Sequence, residues 1–221
     1  MTKMQYKAVI FDLDGTLINS LNDLADSVNK VLKLYNLPTY DIESYKYRVG
    51  NGIRKLMERS LPADKQNLLD EALEKFKAIY AEHNLDKTRP YDNIIDLLQK
   101  LQAQNIKLGV CTNKHDEAAK AIIKKLFGEK IFDQVIGDKP GLKRKPDPSK
   151  VLAIAQNWHI KPQEIAYLGD SGVDMQTAVN ANMLAVGVLW GFRTAEELKE
   201  NGADILINSP LELLTAVDFS K

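Results

Sequence analysis

Two aspartates follow the first apolar run of the chain, in the stretch AVIFDLDGT. Asp12 and Asp14 are two residues apart, and alternate residues of a strand point the same way, so their carboxylates are expected to lie close together. Like charges at such a distance raise each other's pKa unless a cation neutralises them. If Asp12 attacked phosphorus, Asp14 could protonate the departing oxygen, which is nucleophilic catalysis with a paired general acid. Gly15 would let the chain turn sharply and bring backbone N–H groups to a phosphate.

The other residues that could take part in chemistry each come after a strand-length apolar run. They are Thr112, Asn113, Lys145, Asp170 and Asp174. In an open parallel sheet, ligands bind outside the carboxyl ends of the strands, so these residues are expected to share one site with the two aspartates. Carboxylate oxygens favour a hard cation, and Mg²⁺ leaves positions free for water or phosphate. A lysine beside such a cluster indicates a bound anion, and a phosphate would bridge the lysine and the metal.

The elements that must position these residues follow a simple alternation. Strand-length apolar runs lie at 8–11, 107–111, 134–136, 165–168, 184–189 and 204–207. Segments of helical period lie between them, at 91–104, 117–127, 148–157, 174–181 and 194–200. This alternation predicts βαβ units, and hence an α/β fold with a Rossmann-like parallel sheet covered by helices on both faces.

The region from residue 20 to residue 86 breaks the alternation. Apolar residues recur there at helical spacing in 21–32 and 69–80, and no strand pattern separates them. An insert of about 65 residues is much longer than a usual βα loop. We therefore predict a small helical cap domain inserted into a discontinuous core domain, with hinges near 17–20 and 86–90. The predicted boundaries are 1–16 and 87–221 for the core and 17–86 for the cap.

Composition argues against several classes of function. Thirty basic residues balance thirty acidic ones among 221 residues, so there is no basic surplus to predict a nucleic-acid partner. No apolar run approaches the roughly 18 residues of a membrane span, and the N-terminus lacks a signal-peptide pattern. A single cysteine, Cys111, allows no disulfide within the chain, which fits a reducing cytoplasm. The chain is therefore predicted to be cytoplasmic, and the charge balance and the short apolar runs predict no nucleic-acid or membrane partner. The pattern does not choose between a monomer and a homodimer.

Taken in order, the candidate residues resemble the four motifs of the haloacid dehalogenase superfamily, and within it the branch similar to phosphoglycolate phosphatases. FDLDGT matches the first motif, and CTN, KPDP and GDSGVD match the other three. The helical insert lies between the first and second motifs, where this family has its cap. The resemblance implies a Mg²⁺-dependent phosphatase that hydrolyses a small phosphorylated metabolite through an aspartyl-phosphate intermediate.

The resemblance also implies a role for each matching residue. Asp12 would be the nucleophile, and Asp14 would serve as acid and then base. Thr112 would bind the phosphate, and Lys145 would balance its charge. The implied metal ligands are Asp12, the backbone carbonyl of Asp14, and Asp170, with Asp174 as a supporting carboxylate. The residues expected to bind substrate are Thr16, Asn113, Gly50, Gly52 and Arg54.

Other functions remain open on the same residues. A β-phosphoglucomutase-like mutase would return the phosphoryl group to a sugar, and pyrophosphatases share the core. A non-catalytic phospho-receiver also groups acidic residues, a threonine and a lysine around magnesium, but its phosphorylated aspartate usually follows the third strand. In hydrolytic dehalogenases the second aspartate of the first motif is typically absent, so Asp14 favours phosphorus chemistry. A phosphonatase would need a Schiff-base lysine from the cap, for which Lys46 and Lys55 are the candidates.

Overall fold

The computed structural model describes residues 5–220 of the chain. The strands it contains are β1 (Ala8–Phe11), β2 (Ile18–Asn19), β3 (Arg89–Pro90), β4 (Lys107–His115), β5 (Gln134–Asp138), β6 (Ile165–Gly169), β7 (Leu184–Val188) and β8 (Ile205–Ile207). Six of them form one parallel sheet in the order β5-β4-β1-β6-β7-β8. The predicted α/β fold with a parallel sheet is confirmed.

Helices cover both faces of this sheet. The α-helices of the described residues are α1 (Leu21–Leu34), α2 (Ile53–Ser60), α3 (Leu69–His83), α4 (Ile94–Ala103), α5 (Asp116–Phe127), α6 (Ser149–Trp158), α7 (Gly172–Asn180), α8 (Ala195–Glu200) and α9 (Leu213–Ala216). The predicted helices between the strands correspond to α4 to α8, with small shifts at the ends. Short 3₁₀ turns, such as Glu43–Tyr47, link helices of the insert.

Strand β1 lies at the centre of the sheet, between β4 and β6. Its four residues are fully buried, and they read as a continuous apolar run because both of its faces are covered. Val9 and Phe11 pack into the core cluster on one face, whereas Ala8 and Ile10 pack into the cluster on the other. Full burial of each large side chain contributes about 1.5–3 kcal/mol to stability.

Strand β4 is longer than predicted. The sequence pattern ends the strand at Cys111, but β4 pairs with β5 again at His115 and Asp138, after a register irregularity. Thr112, Asn113 and Lys114 lie in the irregularity between these two pairs, and the pairing resumes beyond them. Thr112 and Asn113 therefore lie inside the last part of a strand, and they do not follow it.

The segment between β2 and β3 is helical, as the sequence pattern predicts. Its helices α1 to α3 pack around a second apolar cluster, which includes Val28, Tyr45 and Phe76 of the insert together with Phe192. Strands β2 and β3 pair with each other antiparallel, with Ile18 opposite Pro90, and so bring together the two segments expected to be hinges. A pair of two-residue strands is too short to give a periodic sequence signal. The exact division into cap and core stays a prediction.

Among residues 5–220, none of the helices combines the length and apolar character needed to cross a bilayer.

Candidate active site

The site lies where three central strands end. Asp12 follows β1, and its N–H donates to the carbonyl of Leu168 on β6, 2.9 Å away. Asp170 follows β6 directly, and Thr112 lies near the end of β4. From β1 the sheet continues through β4 on one side and through β6 on the other, so this edge is the topological switch point where open α/β sheets bind ligands.

Lys145 joins two carboxylates in the floor of the site. Its Nζ lies 2.7 Å from Oδ1 of Asp12 and 2.6 Å from Oδ1 of Asp174. The hydroxyl of Tyr167 is 3.1 Å from the same Nζ. Only 2% of the lysine side chain is exposed. Burial alone would lower the pKa of Lys145, but the two carboxylates raise it well above its usual value, so the ammonium stays charged.

The acidic side chains form a tight buried cluster. Asp12, Asp170 and Asp174 can each offer an oxygen within 4.8 Å of the others. Burial raises the pKa of Asp12 to about 6, although Lys145 beside it acts in the opposite direction. Burial, followed by the charges of Asp174 and Asp12, raises the pKa of Asp170 well above its usual range. One lysine therefore does not neutralise the cluster, and a bound cation would.

Two neighbouring backbone segments hold Asp170 in place. The N–H of Phe192 donates to its Oδ2 over 2.7 Å. On the other side lies Gly15, whose φ is +89° and where an added Cβ would be 2.2 Å from the same oxygen. A side chain at position 15 would suffer both backbone strain and a clash with the carboxylate. The sequence interpretation of Gly15 as a sharp turn agrees with this geometry, and the close approach to Asp170 adds a second reason.

The donor chemistry of the cluster fits a hard divalent cation. Both oxygens of Asp174 have protein partners, because Oδ1 faces Lys145 and Oδ2 accepts from the N–H and hydroxyl of Ser171 at 3.1 and 2.6 Å. Among the described residues, the buried Oδ1 of Asp12 has no well-oriented hydrogen-bond partner, although it lies 2.7 Å from Lys145 Nζ. Asp12 and Asp170 thus have coordinating capacity left, and Asp174 supports them.

Asn113 connects three parts of the site. Its Oδ1 accepts the N–H of Lys145 over 3.0 Å, and its Nδ2 donates to the carbonyl of Gly50 in the helical insert over 3.2 Å. Thr112 is buried, and its Oγ1 accepts the N–H of Lys114 over 3.1 Å. The carbonyl of Thr112 accepts from Lys150 Nζ over 3.0 Å. Thr112 and Asn113 of the second motif are therefore fixed by hydrogen bonds to Lys145, Lys150 and the helical insert.

The predicted substrate-binding residues separate into two groups. Gly50 and Gly52 line the same cavity as Asp12, Asp14 and Thr112. Arg54 lies in a neighbouring groove instead, and its guanidinium pairs with Asp70 at 2.7 Å. Thr16 is fully buried, and Trp190 Nε1 donates to its carbonyl over 3.0 Å. The Oγ1 of Thr16 has no hydrogen-bond partner among the described residues.

Sequence reasoning missed three residues around Asp14. Lys114 Nζ lies 2.9 and 3.0 Å from the two carboxylate oxygens of Asp14 and 2.8 Å from the hydroxyl of Tyr80. Ser20 donates to Oδ1 of Asp14 over 2.5 Å. A signal for Lys114 existed, because it is two residues after Thr112 and would share its side of a strand continued beyond Cys111. Ser20 and Tyr80 carry no such signal.

The fold and this geometry define a class: a Rossmann-like α/β protein with an acidic cluster and a buried lysine at the carboxyl edge of its sheet. The chain belongs to the haloacid dehalogenase-like hydrolase family, whose model matches residues 9–188. The predicted family is confirmed, and with it the prediction that the chain is an enzyme.

Known proteins similar to this chain agree with that membership. The phosphoglycolate phosphatase of Psychrobacter arcticus is 33% identical, with 89% of each chain covered. That of Chromobacterium violaceum is 34% identical, over 96% of this chain and 97% of the relative. A crystal structure from Lactobacillus delbrueckii subsp. bulgaricus has a TM-score of 0.92 at 30% identity, with 98% of this chain and 100% of that chain covered.

Proposed function

We propose that this chain is a phosphatase that hydrolyses a small phosphorylated metabolite through an aspartyl-phosphate intermediate, with 2-phosphoglycolate as the first substrate to test. The proposal rests on one observation: Asp12, Lys145 and Asp170 lie close together in a buried site at the carboxyl edge of the sheet. The names of the similar bacterial proteins support phosphoglycolate as the substrate. We further propose a cytoplasmic enzyme without nucleic-acid or membrane partners, acting as a monomer or homodimer.

The first half of the reaction uses the two aspartates that follow β1 together. A carboxylate oxygen of Asp12 forms a bond to phosphorus while the bond from phosphorus to the substrate oxygen breaks. Protonated Asp14 gives its proton to that departing oxygen, so an alcohol leaves and Asp14 becomes a carboxylate. Lys145 and the hydroxyl of Thr112 stabilise the charge on the phosphoryl oxygens.

In the second half, water replaces the alcohol. Asp14, now a carboxylate, takes a proton from the water as its oxygen forms a bond to phosphorus. The bond between phosphorus and Asp12 breaks, and inorganic phosphate leaves with Asp12 and the protonated Asp14 restored. The apolar residues that line the cavity, such as Leu24, Val49 and Leu56, exclude other water from the reacting atoms.

We propose Mg²⁺ as the cation of the acidic cluster. Asp12, Asp170 and the backbone carbonyl of Asp14 would hold it, and Asp174 would support them through Ser171 and Lys145. When bound, it would supply positive charge beside the transferred phosphoryl group. The same charge would offset the burial and the neighbouring acidic charges that raise the pKa values of Asp12 and Asp170.

The test is a panel of phosphorylated compounds assayed with Mg²⁺ for release of inorganic phosphate. We expect 2-phosphoglycolate to be among the best substrates. The panel includes pyrophosphate and β-glucose 1-phosphate, with isomer formation followed for the latter. Faster hydrolysis of pyrophosphate would identify a pyrophosphatase, and isomer formation faster than phosphate release would identify a mutase. A stable aspartyl phosphate without turnover on any compound would contradict the proposal and favour a receiver.

We also expect the effect of Mg²⁺ on stability to depend on pH. The pKa of Asp12 is raised from 3.8 to about 6, so between these values the native metal-free protein binds more protons than the unfolded chain. This group therefore lowers the stability of the metal-free fold as pH rises. Above about pH 6 the Asp12 carboxylate is ionised and can bind Mg²⁺, so Mg²⁺ should raise the melting temperature more at about pH 8 than at about pH 5.

Thermal unfolding with and without MgCl₂ at both pH values measures this effect. Asp170→Asn removes one predicted ligand and should abolish most of the shift at the higher pH. Asp64→Asn, at an exposed acid in the insert, is the matched control and should behave as wild type. Equal shifts at both pH values, or a full shift in Asp170→Asn, would contradict the metal assignment.

A further inference from the structure

Lys114 is a buried lysine that the proposed reaction leaves without a role. Its side chain is 4% exposed. An ammonium group has three donors, and the three short contacts of Nζ match them: two with the oxygens of Asp14 at 2.9 and 3.0 Å, and one with the hydroxyl of Tyr80 at 2.8 Å. The ammonium is therefore fully committed to one carboxylate and one phenol.

We propose that Lys114 is a positioning residue that holds the carboxylate of Asp14 toward the reacting oxygen, and that Tyr80 supports Lys114 from the helical insert. The proposal rests on the function proposed above, in which Asp14 moves the proton. Lys114 and Asp14 are 100 positions apart in the chain, so the fold brings them together.

The geometry of Asp14 explains why it needs such support. It lies beyond β1 in the turn that contains Gly15, outside the regular ladder of the sheet. Within residues 5–220, its other side-chain hydrogen bond, besides those from Lys114, comes from the Ser20 hydroxyl to Oδ1. The contacts from Lys114 to both oxygens orient the plane of the carboxylate, which a single hydroxyl does not do. Proton transfer depends on that orientation, because donor and acceptor must be within hydrogen-bond reach.

Tyr80 makes this arrangement depend on the insert. It belongs to α3, and its ring stacks on Phe76 with centroids 5.3 Å apart and planes 12° apart. Both aromatic residues are buried in the apolar cluster of the insert. The ring of Tyr80 also lies 4.9 Å from Lys114 Nζ, within cation–π distance. The position of α3 and the orientation of Asp14 are therefore linked by one ammonium group.

A buried ion pair can also serve stability alone, because removal of one partner leaves an unpaired charge. A purely structural Lys114 would affect both halves of the reaction alike, or reduce the amount of folded enzyme. A positioning residue acts only where Asp14 moves a proton. The two roles predict different kinetics when the leaving group needs no proton, as with 4-nitrophenyl phosphate.

The decisive experiment is rapid mixing of Lys114→Met with 4-nitrophenyl phosphate and Mg²⁺. Nitrophenolate leaves without protonation, so phosphorylation of Asp12 should remain fast. Hydrolysis of the aspartyl phosphate needs Asp14 as base and should slow about 100-fold. We therefore expect a burst of about one nitrophenol per active site before a slow steady rate. With 2-phosphoglycolate both steps slow, and no phosphoenzyme should accumulate.

Tyr80→Phe tests the support from the insert while it keeps the ring and its packing. It should slow hydrolysis of the phosphoenzyme about five- to tenfold, in line with loss of one hydrogen bond to a charged group. Tyr45→Phe is the matched control, because the hydroxyl of Tyr45 bonds Asn29 within the insert at 2.7 Å. That variant should keep wild-type kinetics in both steps.

The outcomes separate the proposals. If Lys114→Met lowers turnover of both substrates equally without a burst, or if it matches wild type, the positioning role is wrong. If Lys114→Met does not fold, Tyr80→Phe decides, and wild-type kinetics in that variant would overturn the proposal. If the wild-type enzyme itself releases neither nitrophenol nor phosphate with Mg²⁺, the proposed phosphatase function fails instead.

Discussion

Asp12→Asn should lower kcat at least about 10⁴-fold with every substrate that the wild-type enzyme hydrolyses. The amide is a poor nucleophile, so the bond from Asp12 to phosphorus does not form and the two-step route is lost. Steady-state phosphate release with 2-phosphoglycolate and 4-nitrophenyl phosphate measures the loss. Rapid acid quench with labelled substrate should find phosphoenzyme in the wild type and none in the variant.

The same substitution should leave the metal-free fold intact. Burial destabilises the charged form of Asp12, and the amide removes that charge. Lys145 keeps Asp174 as a partner at 2.6 Å, so no charge is left alone. We expect the melting temperature in EDTA to stay at or above that of wild type. Residual activity within about tenfold of wild type in a folded Asp12→Asn protein would rule out Asp12 as the nucleophile.

Lys145→Met should lower both activity and stability. Removal of the ammonium leaves Asp12 and Asp174 buried without their shared cation. Breaking a buried ion pair in this way costs about 3–5 kcal/mol in the free energy of unfolding. Loss of a charge that stabilises the phosphoryl oxygens should lower kcat about 10²- to 10³-fold. Urea unfolding in EDTA and phosphate release with Mg²⁺ measure the two effects.

Lys143→Met is the matched control, because Lys143 belongs to the same basic loop but its side chain is 78% exposed. Its Nζ lies 3.5 Å from Oδ2 of Asp147, so the ion pair is a weak surface contact. It should change the free energy of unfolding by less than about 1 kcal/mol and leave kcat unchanged. We expect added Mg²⁺ to restore part of the stability of Lys145→Met, since it supplies positive charge to the same carboxylates. If Lys145→Met were as stable and active as Lys143→Met, the charge-balancing role of Lys145 would be wrong.

Much of the fold was predictable because the central strands of its main sheet are buried on both faces. Such strands read as short continuous apolar runs, and the five strands other than β4 in the main sheet begin and end close to the predicted positions. The predicted end of β4 was wrong, because the strand continues through the polar residues Thr112 to Lys114, across a register irregularity, and pairs with β5 again at His115. The pair formed by β2 and β3 was missed, since two residues carry no periodicity.

The sequence alone determined which residue types stand at the carboxyl ends of the strands, and this led to Asp12, Thr112, Asp170 and the family. Only the tertiary structure decided which groups meet there. Backbone donors such as the N–H of Phe192 leave no trace in residue identity, because every residue except proline carries one. The pairing of Lys114 with Asp14 depends on how β1, β4 and α3, which are far apart in the sequence, pack together, and no local pattern encodes such a contact.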